Sequence, residues 1–400
     1  TFLFCSGIRR AMSGQFYEFF AGAGMARAGL GDGWKCLFAN DIDLKKAATY
    51  EDNWRTGVMK PGDVKQVASS DLPGSADLVW ASFPCQDLSL AGGGAGLKGE
   101  RSGVFWPFWR LMKKIIAEDR APAIIALENV PATLTSHGGR DFEALCLALI
   151  SAGYRVGGRV IDAAMFLPQS RPRLFLIAVR DDLVIPAHLM ENGTLEGVDV
   201  RVVAALARVQ CRAKTESRLK PILDSWINWS LPEPTGHLKT LEEIIEQDPV
   251  GVEWHSDAET LTLIDRMSEL NRKKVEKARR AGVKMYGTAY RRTRVQSGQK
   301  SVRTEVRFDG VAGCLRTPTG GSSRQIVIEV NGKGTRSRLM TAREAARLMG
   351  LPEKYKLPAA YNEAYHLIGD GVAVPVVAYL RQHLFDPLLA ELRGQAKQAA

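Results

Sequence analysis

The sequence has no run of roughly 18–20 uninterrupted apolar residues, which argues against a membrane-spanning helix. Cysteine and histidine are both scarce, six of each in 400 residues. The cysteines stand at 5, 36, 85, 146, 211 and 314 and form no CxxC pair, so no structural zinc or other metal site is expected. Scattered cysteines without a secretory signal read as those of a reducing cytoplasm. Internal repeats and low-complexity tracts are absent as well. The composition, 45% apolar and 24% charged, is that of a globular chain and excludes the disordered, collagen-like and disulfide-scaffold classes. Its length predicts two domains. Residues 1–12 place apolar side chains before Arg9 and Arg10, the reverse of a secretory signal, and read as an extension ahead of Met12.

Acidic charge is scarce in one region. Between Arg266 and Arg307 stand fourteen Lys and Arg against three acids, although the whole chain carries only +10. The body is therefore near neutral and one segment is strongly basic. That segment is either a solvated helical face or the contact for a polyanion.

Elsewhere strands alternate with helices. Gln15–Phe20 is a β-prone aromatic run that meets a glycine loop and then helix formers Met25–Leu30. Further strands are expected at 36–39, 76–82, 123–127, 154–160 and 173–179, with helices leading to Trp54 and over 104–117 and 142–152. This alternation predicts an α/β fold, a doubly wound and mostly parallel sheet with helices on both faces. Ligands of such sheets bind beyond the carboxyl ends of the strands. From about 183 to 330 the pattern dissolves, which suggests a second, smaller and irregular module. Regularity returns at 341–349 and 372–392. The expected organisation is thus a catalytic domain over 13–182, an irregular domain over 183–330, and a segment 331–400 returning to the first.

Four polar clusters follow predicted strands. Phe20-Ala21-Gly22-Ala23-Gly24 lets backbone approach a ligand at a helix N-terminus, although the dinucleotide pattern GxGxxG fails. With Asp41 at the end of the next strand, the loop suits an adenosine-type cofactor whose ribose needs a carboxylate; a plain tight turn is the alternative. Phe83-Pro84-Cys85-Gln86 puts a thiol where chemistry occurs, either as a nucleophile with positive neighbours or as a buried apolar cysteine. Glu128-Asn129-Val130 ends an apolar strand with a carboxylate that either donates a proton or merely caps a helix. Gln169-Ser170-Arg171-Pro172-Arg173 heads another strand, and arginines at i and i+2 are expected to point the same way.

Together, in this order, these segments resemble the DNA (cytosine-5) methyltransferase family over nearly the whole chain. Asn40-Asp41-Ile42-Asp43, Gly62-Asp63-Val64, Thr341-Ala342-Arg343-Glu344, Leu348-Met349-Gly350 and Gly369-Asp370-Gly371-Val372 match further blocks of the family. The resemblance implies S-adenosylmethionine as cofactor, held by Phe20, Ala21, Gly22, Ala23, Gly24, Asp41, Ile42, Asp63, Val64, Pro84, Val104, Asp370 and Val372. It implies catalysis by Cys85, Glu128, Arg171 and Arg173, with Arg171 holding the base O2 and Arg173 supporting its loop. It places a target recognition domain at 183–330 and double-stranded DNA against Gln86, Ser89, Gln169, Arg291, Arg292 and Arg294. A monomer, with a cognate restriction endonuclease as partner, is also implied. The sequence departs from the family at Met25, Ser82, Asp370 and Cys314, none of which is a reacting group. The rival readings are an RNA (tRNA) cytosine methyltransferase and a catalytically silent DNA-binding protein.

Overall fold

The computed structural model describes residues 14–84, 96–99, 102–191, 198–235, 239–296, 299–317, 324–332 and 334–399. They divide into two compact units. One comprises residues up to 161, 173–233 and 377–400; the other comprises 162–172 and 234–376.

The first unit is built on a seven-stranded sheet: β1 (Gly14–Phe19), β2 (Trp34–Asp41), β3 (Met59–Pro61), β4 (Leu78–Ala81), β5 (Ile124–Asn129), β6 (Tyr154–Asp162) and β7 (Pro172–Arg180). Their order is β3-β2-β1-β4-β5-β7-β6. The pairs from β3 through β5 are parallel, whereas β7 runs antiparallel to β5. Chain order reverses between β1 and β4, so a crevice opens there at the carboxyl edge.

Both faces of the sheet are buried, as near-continuous apolar strands require. Side chains alternate: Tyr17, Phe19, Val79, Ala81, Ile125 and Leu127 share one core with the helices Phe105–Ala117 and Arg140–Ile150. On the other face Trp80 lies edge-on to Phe385, and Trp34 donates from Nε1 to Asp386 at 2.8 Å. The final helix Asp386–Ala399 is thereby pinned to the sheet.

The sequence-derived boundaries at 182/183 and 330/331 are not where the units divide. Residues 173–233 stay with the sheet because the helix Val200–Ala213 buries Val202, Ala205, Leu206, Val209 and Ala213 in its core. Arg212 of that helix pairs with Glu143 at 2.6 Å. Residues 331–376 instead join the second unit. There Arg338 and Glu344 form a fully buried ion pair at 2.6 Å, and Arg338 also donates to the Glu246 carbonyl. Arg336 stacks 3.8 Å from the ring of Trp254.

The second unit carries a four-stranded antiparallel sheet of β8 (Met285–Gln296), β9 (Gln299–Arg307), β10 (Ile326–Asn331) and β11 (Gly334–Leu339), in the order β11-β10-β8-β9. Helices Asp257–Asp265 and Glu269–Arg280 pack on it through Leu263, Val275 and Ala278. Thr341 caps the helix Ala342–Leu348 in a reciprocal bond with Glu344. No described helix is long and apolar enough to cross a membrane.

Candidate active site

Because β1 to β5 are parallel, the segments following them all leave at one edge. The loop after β1 turns sharply. Phe20 is held at φ 55°, a conformation bulky side chains avoid, and Gly24 at φ 80°. At Gly24 a Cβ would fall 2.4 Å from Trp54 Nε1 and 2.8 Å from the Tyr50 ring, so only glycine lets the loop lie this low. At Gly22 a Cβ meets no described atom within 4 Å, leaving that side open to a ligand.

Asp41, at the end of β2, accepts from Gly22 N at 2.7 Å and from Asp43 N at 2.8 Å. Burial pushes its carboxyl above the ordinary range, opposed by those backbone donors and Lys46. Each oxygen keeps a second lone pair for a ribose hydroxyl. Beside it Ile42 is 69% exposed, an apolar side chain at the sheet edge with no core to fill. Asp63 accepts from Lys65 N, and Val64 is buried beneath it. Asn40 ties the neighbouring strand down, donating to Lys60 O and Gly62 O. An open glycine turn, a carboxylate and an exposed apolar side chain on adjoining strand ends fit an adenosine-bearing cofactor.

Under the loop lies an acid whose role the motif reading leaves unassigned. Glu18 interrupts an apolar strand and is buried between Arg27 N and Tyr50 Oη. Burial pushes its carboxyl up to about 8. Unfolded, the group titrates near 4.5, so the fold holds a proton that the unfolded chain has released between those values. Stability is thus expected to fall as pH rises from about 4.5 to 8, by at most about 1.4 kcal/mol per unit. Glu18→Gln should flatten that slope in denaturant melts; an identical slope would show that Glu18 does not titrate there.

The catalytic candidates divide. Cys85, Gln86 and Ser89 lie outside the described residues. The chain leading to Cys85 is fixed, however: Phe83 is buried against Phe105, and its carbonyl accepts from Asn129 Nδ2 at 3.0 Å. Asn129, which the motif reading leaves without a role, also receives Val130 N on its oxygen. Ser82 receives Trp80 Nε1 at 2.9 Å. Pro84 and Val104 are half-buried, Val104 at the start of the helix Phe105–Ala117.

Glu128 is the penultimate residue of β5, and Arg173 is the second residue of β7. Antiparallel register sets Glu128 opposite Phe175, so Arg173 is its diagonal neighbour on one face. The contact is an ion pair, Nε to Oε1 at 3.1 Å, with Glu128 only 7% exposed.

Arg171 does something different from Arg173, although the spacing predicts a shared direction. Within the second unit its guanidinium donates to the carbonyls of Leu315, Gly369 and Gly371 at 2.6–2.9 Å and reaches Cys314 Sγ at 3.5 Å. Gly369 must be glycine, since a Cβ would fall 2.9 Å from the Arg316–Thr317 peptide. Gln169 is fully buried, donating to Leu348 O at 2.6 Å and accepting Leu315 N. Asp370 accepts from Thr317 Oγ1, and Val372 is buried. Arg291 and Arg292 are neighbours on β8, the first half-buried and the second exposed; Arg294 follows, its side chain outside the described residues.

A parallel sheet with this switch point, a ribose-type carboxylate and a carboxylate–arginine pair narrow the comparison, and the family model decides it. The model for C-5 cytosine-specific DNA methylase matches residues 14–386. The chain belongs to this family. It is an S-adenosylmethionine-dependent DNA (cytosine-5) methyltransferase. Its relatives include the type II methyltransferase M.DsaV of Dactylococcopsis salina, 26% identical over 96% of this chain and 89% of the relative. The type II methyltransferase M.HhaI of Haemophilus parahaemolyticus is 23% identical over 94% and 95%. Among solved structures, the Entamoeba histolytica methyltransferase EhMeth matches with a TM-score of 0.61 at 13% identity, over 96% of this chain and 99% of that one. That likeness concerns the fold of the methylase alone.

Proposed function

We propose that this methylase acts on a cytosine flipped out of a specific double-stranded DNA site, through a covalent bond between Cys85 and C6 of the base. The observation that carries the reading is the Glu128–Arg173 pair at the sheet edge, on the strand whose Asn129 fixes the backbone two residues before Cys85.

C5 of cytosine is a weak nucleophile, and inside a duplex C6 is out of reach, so the base must leave the stack. The Cys85 thiolate adds to C6, which turns C5 into an enamine carbon. Glu128 hydrogen-bonds or protonates N3, drawing off the charge that this addition creates. Bound S-adenosylmethionine would supply the electrophilic methyl group that C5 takes up, its S–CH3 bond breaking to leave S-adenosylhomocysteine. Removal of the C5 proton and breakage of the Cys85–C6 bond then restore the aromatic ring.

The arginine roles follow from their partners. Arg173, bonded to Glu128, orients that carboxylate and takes the place beside the base O2 that the resemblance gives to Arg171. Arg171, engaged with three main-chain carbonyls, holds the loops at 314–315 and 369–371. For the cofactor, Phe20 to Gly24 and Pro84 shape the cleft with Val104, Asp41 takes the ribose, and Ile42, Asp63 and Val64 bound the adenine. Asp370 and Val372, in the second unit, are assigned to the cofactor by the resemblance of their block. DNA is met by Gln86, Ser89 and the basic segment. The enzyme acts as a monomer, and the type II names of its relatives point to a restriction endonuclease of the same specificity as its partner.

Asp41→Ala is expected to raise the KM for S-adenosylmethionine far more than that for DNA, with Asp41→Asn in between because it keeps one acceptor for Gly22 N. An unchanged cofactor KM would reduce Asp41 to a loop anchor. The activity itself is tested by labelled-methyl transfer to duplex DNA and tRNA in parallel, followed by bisulfite sequencing of the DNA. Methylation of one recurring duplex sequence is expected; transfer to tRNA alone would overturn the reading.

A further inference from the structure

We infer that Glu18 is a positioning residue for the cofactor: as a neutral acid it holds the glycine loop 20–24 in place, and its ionisation releases that loop. The inference rests on the reading of this loop as part of the S-adenosylmethionine site.

The loop lies on a layer made by the two helices behind it. Tyr50 and Trp54, of the helix Leu44–Trp54, sit so close under Gly24 that no Cβ fits there. The Arg27 guanidinium, from the helix that the loop enters, covers both rings, 5.5 Å from Tyr50 and 4.7 Å from Trp54. It also donates to Tyr50 Oη at 3.2 Å and to Thr56 Oγ1 at 3.1 Å. Glu18 ties this layer to the sheet. Only 1% exposed, it receives Arg27 N on one carboxyl oxygen at 3.4 Å, and its other oxygen lies 3.3 Å from Tyr50 Oη. Tyr50 Oη is in turn 3.4 Å from Cys36 Sγ, which stands 3.4 Å from the Phe38 carbonyl.

In the neutral acid each proton of this chain has an acceptor. Glu18 donates to Tyr50, Tyr50 to Cys36, and Cys36 to the Phe38 carbonyl on β2. Ionised, Glu18 turns the Tyr50 proton back to itself and becomes a buried anion in need of a cation. The groups that face it are Arg27 and Tyr50 from the two helices and Cys36 and Asp41 from β2; on β4 its register neighbour is Trp80. Asp41 repels it, and of these groups only Arg27 is a cation. To reach the carboxylate, the guanidinium must leave the two rings. Arg27 is the third residue of the helix that begins at the loop, so the loop shifts with it. Burial pushes Glu18 up to about 8, Cys36 up to about 12 and Tyr50 well above its ordinary value, so Glu18 is the one of these three that titrates near pH 8.

The test is equilibrium binding of S-adenosylmethionine to the full chain from pH 7 to 9, with wild type, Glu18→Gln, Tyr50→Phe and Asp41→Ala side by side. If the cofactor is held only over neutral Glu18, the competent fraction of wild type falls from about 0.9 to about 0.09 across this range. Its Kd should therefore rise up to about 10-fold. The amino group of the cofactor titrates near 8 too, so the quantity read is the ratio of wild type to Glu18→Gln. The amide keeps the neutral pattern at every pH, and Glu18→Gln should lack the rise that Glu18 causes. Tyr50→Phe keeps the ring under Gly24 but removes a hydroxyl that favours the anion more than the acid. Its rise should begin at higher pH, which decides the matter should Glu18→Gln fail to fold. Superimposable profiles of wild type and Glu18→Gln would overturn the inference, as would a Tyr50→Phe profile unmoved from wild type. Asp41→Ala separates this failure from that of the site. A weakened Asp41→Ala beside coincident Glu18 profiles overturns the inference alone. An unchanged Kd in both Asp41→Ala and Glu18→Gln at every pH would put the cofactor elsewhere and overturn the reading of the loop as well.

Discussion

Cys85→Ala is expected to reduce methyl transfer to background while S-adenosylmethionine and duplex DNA still bind. The reason is chemical. Without addition at C6, C5 has no enamine character, and no rearrangement of the remaining residues restores it. The substitution removes one sulfur, and the chain before it stays anchored by Phe83 against Phe105 and by Asn129 on the Phe83 carbonyl. Loss of rate with retained binding is thus the signature to measure, by labelled-methyl transfer beside equilibrium binding of both ligands. Turnover that survives would remove Cys85 from the mechanism.

The second large effect is expected at Glu128. Glu128→Gln keeps the shape and an oxygen to receive Arg173 Nε, now 3.1 Å away, but withdraws the charge and the transferable proton. A well-placed acid contributes ~10²–10⁴-fold, so kcat should fall within that range with DNA affinity nearly unchanged. Arg173→Lys makes a useful companion, because a point charge on a flexible stem does not hold the carboxylate as a guanidinium does. If Glu128→Gln turns over like wild type, N3 is served by another group.

Much of this was legible because the residues concerned obey local rules. Strand β1 is an aromatic run leading into a glycine loop, β4 and β5 are apolar runs that meet polar residues at Ser82 and at Glu128-Asn129, and the helix Met25–Leu30 begins where the glycines stop. Asp41 and Glu128 stand at strand ends, where a parallel sheet puts its ligands. What escaped was decided at long range. The helix Val200–Ala213 carries its apolar stripe at 202, 205, 206, 209 and 213, a readable period. Its destination depends on Glu143, nearly 70 positions earlier. Strands β8 and β9 pair in antiparallel register from Thr288–Arg307 to Gln296–Gln299, within a stretch that reads as irregular in the sequence. The division of labour between Arg171 and Arg173 was hidden for the same reason. Sequence spacing orients two side chains, but their partners, Glu128 in one case and the carbonyls at 315, 369 and 371 in the other, come from distant segments.

Covalent catalysis by Cys85 is the claim on which the rest of the mechanism hangs. A duplex carrying 5-fluorocytosine at the methylated position tests it directly, because fluorine cannot leave C5 as a proton does and the thioether to C6 is then trapped. With S-adenosylmethionine present, wild type should form a complex that survives denaturation, and peptide mapping should place the adduct on Cys85. No such complex, or an adduct on Cys314 instead, would contradict the account.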